Sequence, residues 1–381
     1  MFSDGLHEDS PAWSAQEEST LIARVDLDQL AQNLTGLRQV APGLGLLAVV
    51  KADAYGHGAV PVARALAAAG IDGFCVATLH EALELRRGGV AVPILVFGAL
   101  RAQALPLAAA NQLELTVVSA AHLAELAPHL PQHPVGLHLK LDTGMGRSGI
   151  LLGDLGACCE QLQSLRPFLR GVMGHFSASE EPTANSVRLQ RDRFQGALAQ
   201  LRNAGIAPPM IHHANSAGCL RGFVAGDTHA RCGIALYGLS EVREAAAAGL
   251  RPILELTAEV MRVQDIPAGA TVGYGSTFVA PHPLRLATLS CGYADGYSRA
   301  LSNRAQAGFR GHTYPVVGRV SMDLLTVALP ESVELRPGQS MSLLSRNPED
   351  PHSVQHTARL LGTIPYEVTC ALNRRVARTY S

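Results

Sequence analysis

The segment LLAVVKADAYGHG, Leu46 to Gly58, joins an apolar run to a loop through one lysine, Lys51. The five residues before Lys51 are all apolar, which is typical of a strand covered on both faces. The seven residues after it contain two glycines and indicate a loop. A lysine at the end of a buried strand either reaches out to solvent or is a partly desolvated amine that attacks an aldehyde or acts as a general base. This segment alone leaves both interpretations open.

The region around this segment alternates short apolar runs with helix-like stretches. The runs are LLAVV, GFCVA, PILVFG, LELTVV, VGLHLKLD, GVMGHF, PMIHHAN and ARCGIALYG. Eight strands that alternate with helices predict an α/β fold, a (β/α)₈ barrel of the TIM type. A doubly wound sheet is the alternative, but no GxGxxG motif follows the first strand.

The apolar pattern changes after about Leu250. Segments such as TVGYGSTFVA and TYPVVGRVSMDLLTVAL alternate with period two, which predicts a smaller, mostly-β domain. We therefore predict a polar N-terminal tail over 1–22, the barrel over 23–248 and the carboxy-terminal β domain over 249–381.

Composition excludes several classes of protein. Hydrophobic residues make up 47% of the 381 residues and charged residues 17%, which favours a folded core over disorder. A formal net charge of −1 without a basic block argues against nucleic acid or an anionic membrane as partner. No apolar stretch is long enough to span a bilayer, and the acidic first twenty residues do not resemble a secretory signal. Seven cysteines without metal-type spacing predict reduced thiols in the cytoplasm and no metal site.

Candidate site residues follow the predicted barrel strands, at the end of the barrel where active sites of such barrels lie. They are Lys51 and Tyr55 after the first strand, Arg147 after the fifth, His175 after the sixth, Ser216 after the seventh, and Arg231, Gly233 and Ile234 at the eighth. Each has an ordinary structural interpretation, since a strand-end histidine is often only hydrogen-bonded and a serine in a turn is usually a helix cap.

Taken together, these residues indicate a phosphate site. The hydroxyl of Ser216 and the backbone N–H groups near Gly233 and Ile234 suit a phosphate, which late barrel strands commonly bind, and Tyr55 adds a hydroxyl donor. A phosphorylated aldehyde beside a reactive lysine is pyridoxal 5'-phosphate, whose Schiff base acts as an electron sink. These residues together therefore fit this cofactor.

Eight segments carry a resemblance to a known family, in the family's order. They are AVVKADAYGHG, LKLDTGMGRSG, HHANSAG, RCGIALYGL, VGYGSTF, GYADGYSR, GRVSMD and IPYEVTCALNRRVAR, and they are spread over most of the chain, from Ala48 to Arg378. The chain resembles the alanine racemases, isomerases with an amino-terminal barrel and a carboxy-terminal β domain.

The resemblance implies a two-base mechanism that interconverts L-alanine and D-alanine. Lys51 would carry the cofactor as an internal aldimine and serve as one base, and Tyr274 would be the second base. In the family this tyrosine comes from the other subunit, so the resemblance implies a homodimer with shared active sites. The implied cellular role is the supply of D-alanine for peptidoglycan.

The resemblance also assigns roles to the remaining matched positions. Tyr55, Ser216, Gly233, Ile234 and Tyr366 would bind the cofactor phosphate. Arg231 would face the pyridine nitrogen, with His175 beside it in a network that reaches the second base. Arg147 would contact the phenolic oxygen and the substrate carboxylate. Met322 and Asp323 would close the substrate pocket, and Tyr293, Arg299 and Arg319 would line its entry.

Lys140 has two open interpretations. It alternates with Leu139 and Leu141, so it points into the barrel if the leucines face the helices. In some members of the family a lysine at this position is carbamylated, which would turn a cation into an anion able to hold Arg147. The alternative is an ordinary buried lysine paired with a carboxylate.

Departures from the family pattern are small. Ser321 stands where a cysteine is common, and residues 1–20 have no usable counterpart. The small pocket implied by Met322 favours alanine and leaves serine or another small amino acid open as substrates.

Two other classes of protein that bind this cofactor are less compatible with the sequence. Decarboxylases of basic amino acids share the architecture of a barrel with a β domain but place a carboxylate by the pyridine nitrogen, where this chain has Arg231. Single-barrel cofactor carriers lack the second domain, which in this chain includes Tyr274.

Overall fold

The computed structural model describes residues 19–181 and 185–381. Most of the predicted tail, 1–18, lies outside these ranges. Contacts divide the described residues into two compact units: a barrel unit of 26–181, 185–253, 364–370 and 380–381, and a β unit of 19–25, 254–363 and 371–379. Among the described residues, no helix is long and apolar enough to cross a membrane.

Strands and helices alternate through the barrel unit, whereas strands predominate in the β unit. In chain order, the strands are β1 (Leu21–Val25), β2 (Gly45–Val49), β3 (Gly73–Val76), β4 (Ile94–Val96), β5 (Leu113–Val117), β6 (Gly136–Asp142), β7 (Ile150–Leu151), β8 (Leu169–Met173), β9 (Met210–His212), β10 (His229–Cys232), β11 (Leu254–Ile266), β12 (Thr271–Val272), β13 (Phe278–Val279), β14 (Leu284–Leu289), β15 (Gln306–Phe309), β16 (His312–Pro315), β17 (Leu325–Leu329), β18 (Ser340–Leu344) and β19 (Ala377–Tyr380). The helices are α1 (Leu27–Val40), α2 (Lys51–Gly56), α3 (Ala59–Ala68), α4 (Leu79–Arg87), α5 (Leu105–Ala110), α6 (Ala120–Leu126), α7 (Leu155–Ser164), α8 (Asn185–Asn203), α9 (Ser216–Leu220), α10 (Arg243–Ala247), α11 (Val354–Leu361) and α12 (Pro365–Cys370).

Eight parallel strands form the barrel, in the order β10-β2-β3-β4-β5-β6-β8-β9. Backbone hydrogen bonds close the sheet, since Thr228 N donates to Ile211 O at 2.7 Å and Arg231 N donates to Ala214 O at 3.0 Å. Every one of the eight apolar runs overlaps one of these strands, so the predicted barrel is confirmed.

The barrel strands are apolar because helices cover their outer faces. All four residues of β3 and all three of β4 are buried. Two of the covering helices begin at side-chain caps: the Asp26 side chain accepts from Gln29 N at the start of α1, and Thr78 and Glu81 form a capping box at the start of α4. This packing places every strand's carboxyl end at the same mouth of the barrel.

The segment after Lys51 is not the plain loop that its glycines predict. Ala52, Asp53, Ala54 and Tyr55 all have φ between 52° and 53°, so α2 is a left-handed turn. Each such residue costs roughly 1–2 kcal/mol when it is not glycine, so surrounding contacts must hold the turn. Glu81 Oε1 accepts from Ala52 N at 2.8 Å and Asp53 Oδ1 accepts from Ala59 N at 2.7 Å.

The β unit has one main sheet, in the order β16-β15-β18-β11-β1-β19, with β14 paired to β11 and β17. Strand β1 pairs with β11 in the antiparallel sense, from Leu21 opposite Ala258 to Val25 opposite Leu254. Residues 23–25, which we predicted at the start of the barrel, therefore belong to this sheet. The structure also divides the chain between 253 and 254, against the predicted 248 and 249.

Candidate active site

A cavity of about 480 Å³ opens in the barrel unit. Ten residues that the sequence singled out line it: Lys51, Tyr55, Lys140, Arg147, His175, Ser216, Arg231, Gly233, Ile234 and Tyr366. The rest of the lining is Val49, Ala77, Phe97, Gly98, Ser148, Met173 and Asn215, which the sequence did not single out as site residues. The strand-end residues therefore meet in one site.

The left-handed turn brings Lys51 and Tyr55 to the same wall of the cavity. Tyr55 is 6% exposed, and its ring lies edge-on to Tyr237 and Tyr366 at centroid distances of 5.2 and 5.5 Å. Burial, with Tyr366 next to it, raises the pKa of Tyr55. Its hydroxyl therefore stays neutral and can donate a hydrogen bond.

Ser216 and Gly233 form a cradle of hydrogen-bond donors beside Tyr55. The hydroxyl oxygen of Ser216 accepts from Gly233 N at 3.0 Å and from Ala235 N at 3.4 Å, so its own proton is free to donate. A Cβ on Gly233 would lie 2.6 Å from Tyr55 Oη, so glycine is required for this close approach. Burial also raises the pKa of Tyr366. Neutral hydroxyls around an uncrowded backbone fit an oxyanion such as a phosphate.

Arg231 is 3% exposed, and its orientation is set by hydrogen bonds. Nη1 donates to His212 O at 2.5 Å and to His212 Nδ1 at 2.9 Å. Nη2 donates to Gly174 O at 2.7 Å and lies within reach of His175 Nδ1 at 3.1 Å and His213 O at 3.3 Å. Among the described residues these are its partners, which leaves Nε–H as the donor for an acceptor in the cavity.

His175 is neutral in this arrangement. An arginine can only donate, so His175 Nδ1 accepts from Arg231 and the ring carries its proton on Nε2. Burial, followed by the charges of Arg231 and Arg147, holds the pKa of His175 well below its ordinary value. The ring therefore presents an N–H donor at Nε2.

Lys140 has no carboxylate within salt-bridge distance among the described residues. Its amine donates instead to Ser148 Oγ at 2.6 Å. Burial, with the nearby charges of Arg147 and Arg231, lowers the pKa of Lys140 to about 8. Of the two interpretations left open by the sequence, the carboxylate-paired lysine is not what the structure shows.

The other six predicted residues lie in the β unit. Tyr274 is 71% exposed, Met322 is 53% exposed and Tyr293 is 41% exposed. The segment that contains Tyr293 and the segment that contains Met322 are connected by backbone hydrogen bonds. Tyr293 N donates to Ser321 O at 3.0 Å and Ala294 N donates to Met322 O at 2.9 Å. The carboxylate of Asp323 accepts from Arg375 Nη2 at 2.7 Å. The remaining two residues of this group are Arg299 and Arg319.

Sequence reasoning missed four residues around the cavity. Glu81 supports the turn after Lys51, and the side chains of Glu114, His138 and His212 connect to Arg231 by hydrogen bonds. Alternation along VGLHLKLD already placed His138 on the same face as Lys140, which could have identified it. Alternation along LELTVV likewise sets Glu114 on the face opposite to Leu113 and Leu115, so the same signal was available for it.

Family models for the N-terminal and the C-terminal domain of alanine racemase match residues 25–241 and 253–380. The chain belongs to the alanine racemase family. An alanine racemase of Symbiobacterium thermophilum is 38% identical over 370 residues, which are 94% of this chain and 96% of that protein. The family confirms the predicted enzyme class, a racemase and therefore an isomerase.

Solved structures agree with this assignment. The alanine racemase of the D-cycloserine producer Streptomyces lavendulae matches with a TM-score of 0.89 and 33% identity, over 95% of this chain and 97% of that chain. The alanine racemase of Bartonella henselae, whose structure has covalently bound pyridoxal phosphate, matches with a TM-score of 0.84 and 29% identity, over 95% and 100% of the two chains. The predicted barrel with a mostly-β domain is the fold of these racemases.

Proposed function

We propose that this racemase interconverts L-alanine and D-alanine by a two-base mechanism, with pyridoxal 5'-phosphate bound to Lys51. The observation that carries the proposal is that one cavity holds the Lys51 amine, a cradle of neutral donors and the buried cation of Arg231. When bound, this cofactor supplies the electron withdrawal that makes the α-proton of an amino acid labile.

The cavity suits each end of such a cofactor. The hydroxyls of Tyr55, Ser216 and Tyr366, with the backbone around Gly233 and Ile234, would hold the phosphate. The free Nε–H of Arg231 would face the ring nitrogen and, as a permanent cation, would disfavour a proton there. The planar fork of Arg147 would bind the phenolic oxygen and the substrate carboxylate.

Two groups of this chain would exchange the proton at the α-carbon, one on each face. Lys51 Nζ would take the proton from D-alanine and return it. Tyr274 Oη would do the same for L-alanine. A tyrosine hydroxyl is a weak base and needs a polar partner, and the Nε2–H of His175, held by Arg231, is the candidate.

We place Tyr274 in the site of a partner subunit, in a homodimer with two shared sites. The large exposed fractions of Tyr274, Met322 and Tyr293 support this placement, because apolar and aromatic side chains at that exposure commonly mark an interface. Met322 and Asp323 would then close the substrate pocket, and Tyr293, Arg299 and Arg319 would line its entry.

The proposed cellular setting is the cytoplasm, where the enzyme would supply D-alanine for peptidoglycan. All seven cysteines are free thiols, and Cys75, Cys158, Cys219, Cys232 and Cys291 are buried. Free buried thiols are typical of proteins from reducing compartments.

The activity is tested by incubating the purified protein with L-alanine and measuring D-alanine with a D-amino-acid oxidase assay. We expect the two enantiomers to approach equal concentrations. Release of carbon dioxide from the amino acid would instead indicate a decarboxylase, and a yellow protein without turnover would indicate a cofactor carrier. Serine as an alternative substrate measures how selective the pocket is.

Gly233→Ala is expected to weaken cofactor binding by about 10-fold or more, because overpacking costs roughly 1–3 kcal/mol. The added Cβ would lie 2.6 Å from Tyr55 Oη and 2.8 Å from Tyr55 Cε2. Titrating the cofactor-free protein with pyridoxal phosphate and following its absorbance measures the affinity. Gly196→Ala is the matched control, because a Cβ there meets nothing within 4 Å. Equal affinities of the two variants would contradict the proposed cradle.

Lys140 is expected to form a carbamate with carbon dioxide. The nitrogen attacks the carbon of CO₂, one C=O π bond becomes the C–O⁻ of the product, and a proton leaves to solvent. A pKa of about 8 leaves roughly a tenth of the amine neutral and nucleophilic at pH 7, far more than for an ordinary lysine. With ¹³CO₂, the protein should show one carbamate carbon signal by NMR that is absent from Lys140→Gln. A spectrum without this signal at neutral pH would refute carbamylation.

A further inference from the structure

A chain of hydrogen bonds crosses the inside of the barrel behind Arg231. Arg231 Nη1 donates to His212 Nδ1 at 2.9 Å. His212 Nε2 lies 2.8 Å from His138 Nδ1, and His138 Nε2 lies 2.8 Å from Glu114 Oε2. The four side chains come from β10, β9, β6 and β5, so the chain connects opposite walls of the barrel.

The direction of every bond in this chain is determined by its two ends. Arg231 can only donate, so His212 Nδ1 must accept. A neutral His212 then carries its proton on Nε2 and donates it to His138 Nδ1. His138 in turn carries its proton on Nε2 and donates it to Glu114, whose carboxylate can only accept. If His138 donated to His212 instead, His212 would either have no ring proton or carry one on Nδ1. A proton on Nδ1 would point at the N–H of Arg231.

The charges and burial of the chain agree with this direction. His138 and His212 are fully buried, and the Glu114 side chain is 20% exposed. Burial raises the pKa of Glu114, but the hydrogen bond from His138 and nearby positive charges outweigh it, so the pKa lies below its ordinary value. Burial, followed by the charge of Arg231, holds the pKa of His212 well below its ordinary value.

A glycine makes room for the central bond. His138 lies opposite Gly171 of the neighbouring strand β8. A Cβ on Gly171 would lie 2.4 Å from His138 Nδ1, the atom that accepts from His212. Gly171 does not have a positive φ, so its backbone conformation does not require glycine. Glycine is required because a side chain at this position would collide with the His138 ring.

We propose that Glu114 is a positioning residue that acts through His138 and His212 to hold the Arg231 guanidinium in its orientation toward the cavity. Glu114 supplies the obligate acceptor at the far end, which allows only one set of histidine tautomers. That set leaves His212 Nδ1 as an acceptor for Arg231. Without Glu114 the histidines can adopt other tautomers that do not bind Arg231.

The first test replaces Glu114 with Gln, which keeps the shape but can also donate. In the purified full-length protein, ¹⁵N NMR of the histidine rings should show both His138 and His212 protonated on Nε2. Glu114→Gln should add a population of His138 protonated on Nδ1 and lower kcat by about 10-fold, with KM changed less than kcat. Glu84→Gln, an exposed carboxylate on α4, is the matched control.

A second substitution tests the same proposal independently, in case Glu114→Gln does not fold. Gly171→Ala should displace His138 Nδ1 and produce the same change in tautomers and kcat, while Glu114→Asp, which keeps the carboxylate, should restore the wild-type tautomers in part. Unchanged tautomers in both Glu114→Gln and Gly171→Ala would overturn the proposal. Changed tautomers with kcat within twofold of the Glu84→Gln control would also overturn it.

The inference rests on the proposed function only for its kinetic readout. If the wild-type protein does not racemise alanine, the proposed function fails, whereas the tautomers still report on the chain of hydrogen bonds. The two failures are therefore distinguishable.

Discussion

Lys51→Ala is expected to abolish racemisation, with kcat lower by at least about 10³-fold, because the variant loses both the cofactor's attachment and one of the two bases. The purified variant should also lose the yellow colour of the bound cofactor on dialysis. Racemisation of L-alanine and absorbance of the dialysed protein measure the two effects. Addition of a small primary amine to the variant should restore part of the activity if the amine is what is missing.

Attachment to Lys51 can be mapped with unusual clarity in this protein. Lys51 and Lys140 are the only lysines among the 381 residues, and both line the cavity. Borohydride reduction of the holoenzyme should leave the cofactor on the peptide that contains Lys51, in the wild type and in Lys140→Gln alike. An adduct on the Lys140 peptide would show that the assignment of Lys51 is wrong.

Mixing two inactive variants is expected to restore activity. Lys51→Ala and Tyr274→Phe homodimers should each be nearly inactive, since each lacks one base in both sites. In a heterodimer, one site combines the intact Lys51 of one subunit with the intact Tyr274 of the other. Verified heterodimers should therefore reach about half of wild-type activity, because one of the two symmetry-related sites is complete.

The control for this experiment is a mixture of Lys51→Ala with Lys51→Gln, in which no site regains its lysine. Distinct affinity tags on the two subunits allow the heterodimers to be purified after co-expression. If Tyr274 served its own subunit, every site of the heterodimer would lack one base. Inactive heterodimers would then refute the shared site, although the chain would remain a racemase.

Local patterns were sufficient for the barrel and for most of its site. Each barrel strand is a short apolar run bounded by turn residues, and this signal depends only on neighbouring residues. Since parallel strands of a barrel end at one mouth, residues such as Lys51, His175 and Arg231 could be grouped from the sequence alone. The residues of the proposed phosphate cradle could be grouped in the same way, because a serine in a turn and glycines in a loop are recognisable in the sequence.

Contacts between distant segments needed the tertiary structure. The left-handed turn over residues 52–55 is not specified by its own residue types, because three of the four are alanine or tyrosine, which do not favour positive φ. It is stabilised by Glu81, which reaches the turn from another helix. Strand β1 joins the β unit by pairing with β11, more than two hundred residues later in the sequence. No pattern within either segment specifies that pairing.

The charge relations of the site also depend on the folded state. Alternation places His138 and Lys140 on the inner face of their strand, but does not show which partners they meet across the barrel. Folding brings His138 to His212 and Glu114, and it gives Lys140 a serine hydroxyl as partner, which rules out one of the two interpretations that the sequence left open, a lysine paired with a carboxylate. Residue types and strand order set the chemistry that is available, whereas burial and the hydrogen bonds across the barrel decide which protons each group carries.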